Sequence, residues 1–120
     1  MTRVKMIYDN NIIIGFRMEG HAGFNTKGPD ILCASLSTAS QMTINGILDW
    51  TDLNAEECIK KEDKKEGILW FELPTPCLSV TTSQLFKSFE MFIEQLSEQY
   101  KGFVKLVKLE RREEYDNKDN

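Results

Sequence analysis

Two short runs near the N-terminus, TRVKMIYD and IIIGFRMEG, are rich in β-branched and aromatic residues, and Asp9-Asn10-Asn11 lies where they meet. Asp and Asn tolerate positive φ and form local turn hydrogen bonds, so this pattern predicts a β-hairpin. In the second run Ile14, Phe16 and Met18 alternate with glycine and charged residues. That alternation predicts a strand with one face on a core and the other in water.

A helical pattern follows the hairpin and would cover its apolar face. Apolar or small residues recur at steps of three and four, at Leu32, Leu36, Ala39, Thr43 and Ile47. Asp30 can cap the first-turn N–H groups, whereas Pro29 would break the helix if it lay further in. We therefore predict a helix over about residues 30 to 48, with Cys33 in its first turn.

The second half of the chain repeats this alternation of strands and helix. AEECIKKE and GILWFEL predict two strands joined by the charged turn DKKEG. Thr81 and Gln84 match a capping box, and Gly102 would end the helix before a last strand, FVKLVKL. The apolar face of this helix comprises Leu85, Phe86, Phe89, Phe92, Ile93, Leu96 and Tyr100. The order ββαββαβ predicts an α/β (α+β) two-layer sandwich, a mixed sheet with two helices on one face.

The length of 120 residues allows one hydrophobic core, and 41% hydrophobic with 28% charged residues is a globular composition. We predict a single domain over residues 1–110. The charged tail over residues 111–120 should be disordered, because it buries too little apolar area to offset the entropy of ordering.

The charge distribution excludes some partners. The net charge is −4, and basic residues are interleaved with acidic ones, as in KKEDKKEG, so no positive stripe invites direct nucleic-acid binding. No apolar run approaches the length of a membrane span, and the N-terminus lacks the apolar core of a signal peptide. These patterns predict a soluble, cytoplasmic protein without membrane contact.

Three cysteines, Cys33, Cys58 and Cys77, are an odd number at wide spacing, which favours free thiols in a reducing compartment. With one histidine and no C-x-x-C pair, the spacing argues against a zinc site, and we predict no metal or cofactor. We interpret Cys58 and Cys77 as structural or incidental.

The stretch GHAGFNTKGPDILCASLS contains the single histidine, His21, and Cys33. A cysteine attacks as its thiolate, which a helix N-terminus and a neighbouring imidazolium stabilise. His21 and Cys33 are therefore candidates for base and nucleophile, with helix-start N–H groups binding an oxyanion. A packed cysteine and a hydrogen-bonded loop histidine are the commoner explanation of such spacing.

Three glycines, Gly20, Gly23 and Gly28, lie in the loop between the candidate base and nucleophile. They would let this loop open for an extended peptide and close on it, although many glycine-rich loops only turn the chain.

The run G-H-A-G, a short variable loop and then G-x-D-I-L-C-A-S-L-S resembles the signature of the ribosomal-processing cysteine proteases, a small bacterial family related to YsxB proteins. The resemblance implies a cysteine endopeptidase that removes the N-terminal extension from the precursor of large-subunit ribosomal protein twenty-seven. It implies that His21 and Cys33 are the catalytic pair. A homodimer and apolar substrate residues before the cut are also implied.

Asp30 and Ser37 correspond to further positions of the same motif, and we expect supporting roles for both. Asp30 can cap the helix, orient His21 or hold the loop closed. Ser37 lies one turn beyond Cys33 and could bond the substrate, the loop or the backbone four residues earlier. Pro29 departs from the family pattern and would stiffen the end of the loop.

Two other interpretations of the function stay open, a non-enzymatic ribosome-associated peptide-binding module and a redox-sensing thiol protein.

Overall fold

A mixed five-stranded sheet organises the chain in the computed structural model, which describes residues 1–25 and 30–111. The strands are β1 (Thr2–Asp9), β2 (Ile12–Glu19), β3 (Ile59–Asp63), β4 (Ile68–Glu72) and β5 (Val104–Glu110). The helices are α1 (Ile31–Thr51), α2 (Ala55–Cys58) and α3 (Val80–Gln99), and a 3-10 turn spans Thr75–Cys77.

The strand order across the sheet is β3-β4-β2-β1-β5. β1 and β5 pair in parallel, whereas the pairs β1–β2, β2–β4 and β3–β4 are antiparallel. The parallel pair requires a crossover connection, which α3 supplies between β4 and β5. The predicted mixed sheet and α+β class are confirmed.

The main core lies between one face of the sheet and the two long helices. Phe16 of β2 is fully buried there, with its ring centroid 4.7 Å from that of Phe89 in α3 and 5.9 Å from that of Phe71 in β4. Leu32 and Ile47 of α1 belong to the same buried cluster. Both long helices therefore cover one face, as the sequence predicts.

The prediction for β2 is wrong at Ile14. Between β1 and β2 the register shifts, so that Ile7 pairs with Gly15 while Tyr8 pairs with Ile13. Ile14 is the extra residue of this bulge, and a bulge reverses the facing of side chains beyond it. Ile14 consequently packs with Ile7 and Trp70 in a second, smaller cluster and not with Phe16.

The first long helix, α1, starts as predicted, but it is longer than predicted and buries a different set of residues. Asp30 is its N-cap, and the helix ends at Thr51, before Asp52 adopts a left-handed φ of 60°. Its buried residues are Leu32, Leu36, Ser40, Ile44 and Ile47. Ala39 and Thr43 are only half-buried, because a 3.6-residue repeat moves the buried stripe round a long helix.

By length and composition alone, α1 could cross a membrane, since it has 21 residues and a mean hydropathy of 1.2 in its most apolar window. By this criterion α1 is an exception to the prediction that no apolar run approaches the length of a membrane span. In this fold the apolar side of α1, including Leu36 and Ile44, packs against the sheet and α3.

The segment AEECIKKE is only partly a strand. Its first half, Ala55–Cys58, is the single helical turn α2, and β3 begins at Ile59. A capping box explains the difference, because the Glu57 side chain accepts a hydrogen bond from the Asn54 N–H at 3.1 Å.

The start of α3 also differs from the prediction at Thr81 and Gln84. Ser79 is the N-cap, and its hydroxyl accepts a hydrogen bond from the Thr82 N–H at 3.1 Å. The Thr82 hydroxyl accepts in return from the Ser79 N–H, so the reciprocal pair forms two residues earlier than predicted.

Arg111, the first residue of the predicted tail, contacts the body of the molecule. Its guanidinium lies 3.7 Å from a carboxylate oxygen of Asp9 and 3.5 Å from one of Glu72. The rest of the tail, residues 112–120, lies outside the described residues, as do Gly28 and Pro29. The boundary of the single domain stays a prediction.

Candidate active site

Asp30 joins the start of α1 to the loop that follows β2. Its Oδ1 accepts hydrogen bonds from the N–H groups of Leu32, at 2.9 Å, and Cys33, at 3.0 Å. Its Oδ2 accepts from the N–H groups of Phe24, at 2.9 Å, and Asn25, at 3.4 Å. One carboxylate thus caps the helix and fastens the loop, which are two of the three roles considered for it.

The bonds to Asp30 have an electrostatic consequence. The hydrogen bond from the Cys33 N–H, helped by those from the three other N–H groups, outweighs desolvation and holds the pKa of Asp30 below its usual value. The carboxylate is therefore ionised at neutral pH, and its negative charge lies at the positive end of α1.

Phe24 attaches the same loop to the far end of α3. Its ring packs edge-to-face against Tyr100 and Phe103, with centroid distances of 5.2 and 5.3 Å. The role of Phe24 was not predicted, because this residue lies in a segment without periodicity and its partners are more than 70 residues away.

Cys33 is half-buried in the first turn of α1, as predicted. Its Sγ accepts a hydrogen bond from the Ala22 N–H at 3.4 Å. Ala22 follows His21 directly in the sequence. The backbone next to the histidine therefore contacts the sulfur of Cys33.

His21 is exposed, and its Nε2 lies 2.9 Å from the carbonyl oxygen of Lys65 in the turn between β3 and β4. Within the described part of the chain, no hydrogen bond joins the imidazole to the sulfur of Cys33. The two side chains nevertheless line the same cavity.

This cavity, the site groove, has a volume of about 420 Å³. Its walls include His21, Cys33 and Ser37, apolar side chains from the sheet and α1, and charged residues at the end of β3 and the start of the turn that follows it. The apolar lining residues are Met18, Leu36, Ile68 and Leu69, and the charged ones are Glu62, Asp63 and Lys64. A groove of this composition suits an extended peptide that carries an apolar side chain.

Ser37 is exposed and lines the site groove one turn after Cys33. Its carbonyl accepts a hydrogen bond from the Ser40 hydroxyl at 2.9 Å. The hydrogen bond to a carbonyl four residues earlier, one of the roles considered for Ser37, is made in the same part of α1 by the Ser35 hydroxyl, which donates to the carbonyl of Ile31. Contact of Ser37 with a substrate stays a prediction.

Of the loop glycines, Gly20 and Gly23 have left-handed φ values of 88° and 69°. A Cβ on Gly20 would lie 2.6 Å from the Met1 carbonyl oxygen, so this position also needs glycine for space. Their proposed hinge role stays a prediction, and Gly28 lies outside the described residues.

Of the three free cysteines, Cys33 lines the groove, whereas Cys58 is fully buried and burial raises the pKa of its thiol. Cys77 is half-buried in the 3-10 turn.

Within residues 1–25 and 30–111, no group of three or more His, Cys, Asp and Glu side chains could hold a metal ion.

A family model described as cysteine protease Prp matches residues 1–105. No curated protein matches the chain. SMU.848 from Streptococcus mutans is 26% identical, with a TM-score of 0.74 over 92% of this chain and 96% of that one.

Two structures of the essential ribosomal processing protease Prp from S. aureus share the fold. The complex with a covalently linked product peptide has a TM-score of 0.74 at 19% identity. The complex with a substrate peptide has a TM-score of 0.73 at 17% identity. Each match covers 90% of this chain and 99% of the other.

Proposed function

Because the chain belongs to the cysteine protease Prp family, we propose that it is an endopeptidase that acts through Cys33 and His21. Its proposed substrate is the precursor of large-subunit ribosomal protein twenty-seven, from which it removes the N-terminal extension during ribosome assembly. The cytoplasm, where ribosomes assemble, is the proposed location, and direct nucleic-acid binding has no part in the activity.

The chemistry needs a thiolate and a base. Cys33 Sγ attacks the scissile carbonyl, and His21 first accepts the thiol proton and then donates it to the leaving amine. Water next hydrolyses the acyl-enzyme and regenerates the thiol. In this structure the Ala22 N–H donates to the sulfur of Cys33, and it can keep this hydrogen bond to the thiolate.

The oxyanion site needs a correction to the sequence argument. Helix-start N–H groups were expected to hold the oxyanion, but two of them, those of Leu32 and Cys33, donate to Asp30 in this structure. The Ala22 N–H is better placed, since it already points at the attacking sulfur. We propose that it turns to the developing oxyanion beside that sulfur during attack.

The lining of the groove supports a substrate with apolar residues before the cut. Met18, Leu36 and Leu69 offer an apolar surface beside Cys33. Burial of one large apolar side chain there contributes about 1.5 to 3 kcal/mol to binding. This is the binding energy that would select such a sequence over a polar one.

The observation that carries the proposal is that Cys33, in the first turn of α1, and His21 line the same groove. The test is incubation with a peptide that bears the precursor extension, followed by mass spectrometry for two cleavage products. Cys33→Ser and His21→Ala should each lower kcat/KM by about 10³-fold or more, with an unchanged melting temperature.

Ser35→Ala is the matched control, since Ser35 lies on α1 but outside the site groove. Cleavage that survives in Cys33→Ser would contradict the proposal. Binding of the peptide by the wild-type protein without any cleavage would instead support a peptide-binding module, and a reversible mixed disulfide at Cys33 without cleavage would support a redox sensor.

A further inference from the structure

The turn between β3 and β4, residues 64–67, packs directly against the end of β2 and the imidazole of His21. The Lys65 carbonyl oxygen lies 2.9 Å from His21 Nε2. A Cβ on Gly67 would lie 2.6 Å from the Gly20 carbonyl oxygen and 3.1 Å from His21 Cε1. The absence of a side chain at Gly67, where φ is +69°, is therefore what allows the turn to approach the histidine.

We propose that the Lys65 backbone carbonyl is the positioning group of His21, and that the turn presents it. The inference rests on the proposed function of His21 as the base. A carbonyl only accepts hydrogen bonds, so the proton of the neutral imidazole lies on Nε2. Nδ1 then carries the lone pair and is the atom that takes the proton from Cys33.

The turn is itself held in one conformation by Asp63. Its Oδ1 accepts hydrogen bonds from the N–H groups of Lys65 and Glu66, both at 3.1 Å. These two bonds fix the peptide planes on either side of Lys65, and with them the direction of its carbonyl. Asp63 thus orients the Lys65 carbonyl, and this carbonyl in turn orients His21, the proposed base.

The carbonyl also acts during the reaction. When His21 accepts the thiol proton it becomes an imidazolium, and the negative end of the Lys65 carbonyl dipole stabilises this charge. The same bond prevents rotation of the ring, which keeps Nδ1 available for the leaving amine. Because a backbone atom supplies the interaction, no side chain in the turn marks it in the sequence.

The experiment uses the full chain, in which His21 is the one histidine, so imidazole ¹⁵N spectra report on it alone. The wild-type spectrum should show a proton fixed on Nε2 and an unprotonated Nδ1. In Gly67→Ala and in Asp63→Ala both nitrogens should move towards the averaged shifts of free imidazole. We expect kcat for the extension peptide to fall about 10- to 100-fold in both variants.

Two further variants separate positioning from damage to the fold. Asp63→Asn keeps an acceptor for the two turn N–H groups and should restore most of kcat and the wild-type spectrum. Glu66→Gln changes an exposed side chain of the same turn and should leave both unaltered. If Gly67→Ala does not fold, Asp63→Ala decides the matter, because it adds no atom to the contact.

A wild-type spectrum with the proton on Nδ1 would overturn the inference, as would an unchanged kcat and spectrum in the folded variants. Failure of the proposed function has a different signature. In that case cleavage would be independent of Cys33 or absent from the wild type, whatever the tautomer of His21.

Discussion

Glu90 is fully buried in α3, yet it carries a charge because three side chains surround its carboxylate. Oε1 lies 2.6 Å from Lys87 Nζ and 3.7 Å from Lys108 Nζ, while Oε2 accepts a hydrogen bond from the Tyr8 hydroxyl. Burial alone would raise the pKa of Glu90, but the bonds from Lys87 and Tyr8 and the charge of Lys108 outweigh it and lower the pKa. For Tyr8, burial and then the bond to Glu90 raise the pKa above its usual value.

Tyr8→Phe should lower the free energy of unfolding by about 1.5 to 3 kcal/mol, the contribution of a hydrogen bond to a charged group. The measurement is urea unfolding at pH 7, with peptide cleavage as a parallel assay. Tyr8 lies outside the lining of the site groove, so cleavage by the folded variant should be unchanged. A loss below 0.5 kcal/mol would contradict the role assigned to this bond.

Glu90 also sets part of the acid sensitivity of the protein. A lowered pKa in the folded state means that its stabilisation is fully present above the unfolded-state pKa of about 4.3 and is lost as pH falls through the folded-state value. Glu90→Gln should therefore flatten the decline in unfolding free energy below pH 5, whereas Glu98→Gln, exposed on the same helix, should not. The pKa of Asp30 is also lowered in the folded state, so the unfolding free energy of Glu90→Gln should still decline in acid, though less than that of the wild type.

At the scale of elements, the junction between the β2–α1 loop and α1 depends on the two oxygens of Asp30. In Asp30→Asn one oxygen is replaced by an NH₂ group, which cannot accept a hydrogen bond. Since Asn is a good N-cap, we expect the bonds to Leu32 and Cys33 to survive and those to Phe24 and Asn25 to be lost.

Amide hydrogen exchange tests this expectation. The N–H groups of Phe24 and Asn25 should exchange faster in Asp30→Asn, with Leu32 and Cys33 unchanged, and kcat/KM should fall because the loop carries His21 and Ala22. In Asp30→Ala all four N–H groups should lose protection. Equal protection of Phe24 in Asp30→Asn and the wild type would show that the carboxylate does not hold the loop.

At the scale of the whole molecule, the long helices leave apolar side chains in water. Met42 of α1 is 74% exposed, and Met91 and Phe92 of α3 are 50% and 37% exposed. Met42 and Phe92 flank a second, mainly apolar groove of about 520 Å³ between the helices. An exposed patch of this kind is consistent with the homodimer that we propose from the family resemblance.

Sedimentation equilibrium tests the proposed dimer. The wild-type protein should sediment as a dimer, and Phe92→Glu should shift it towards the monomer with an unchanged circular dichroism spectrum, because a charge would then be buried between the copies. Trp50→Glu, a change of the same kind at an exposed residue outside the groove, is the control. A monomeric wild type at micromolar concentration would refute the dimer.

Local patterns in the chain predicted most of the strands and helices, whereas the catalytic roles assigned to His21 and Cys33 stay predictions. Strand and helix periodicities depend on neighbours within about two turns, and so does the Asp30 cap, which placed Cys33 in the first turn of α1. The error at Ile14 came from a bulge. The errors at α2 and α3 came from two capping boxes that were not predicted, Asn54 with Glu57 and Ser79 with Thr82.

The sequence by itself determined the α+β class, the helix that presents Cys33, and the motif of His21 and Cys33, because side-chain identity encodes each of them. Tertiary structure alone decided that β5 pairs in parallel with β1, that Phe24 docks on Tyr100 and that the Lys65 carbonyl meets His21. The ladder and the histidine contact use backbone groups, which every residue type carries, and their partners lie 44 or more residues apart. Periodicity and motif spacing carry no record of such contacts, so only the packed chain reveals them.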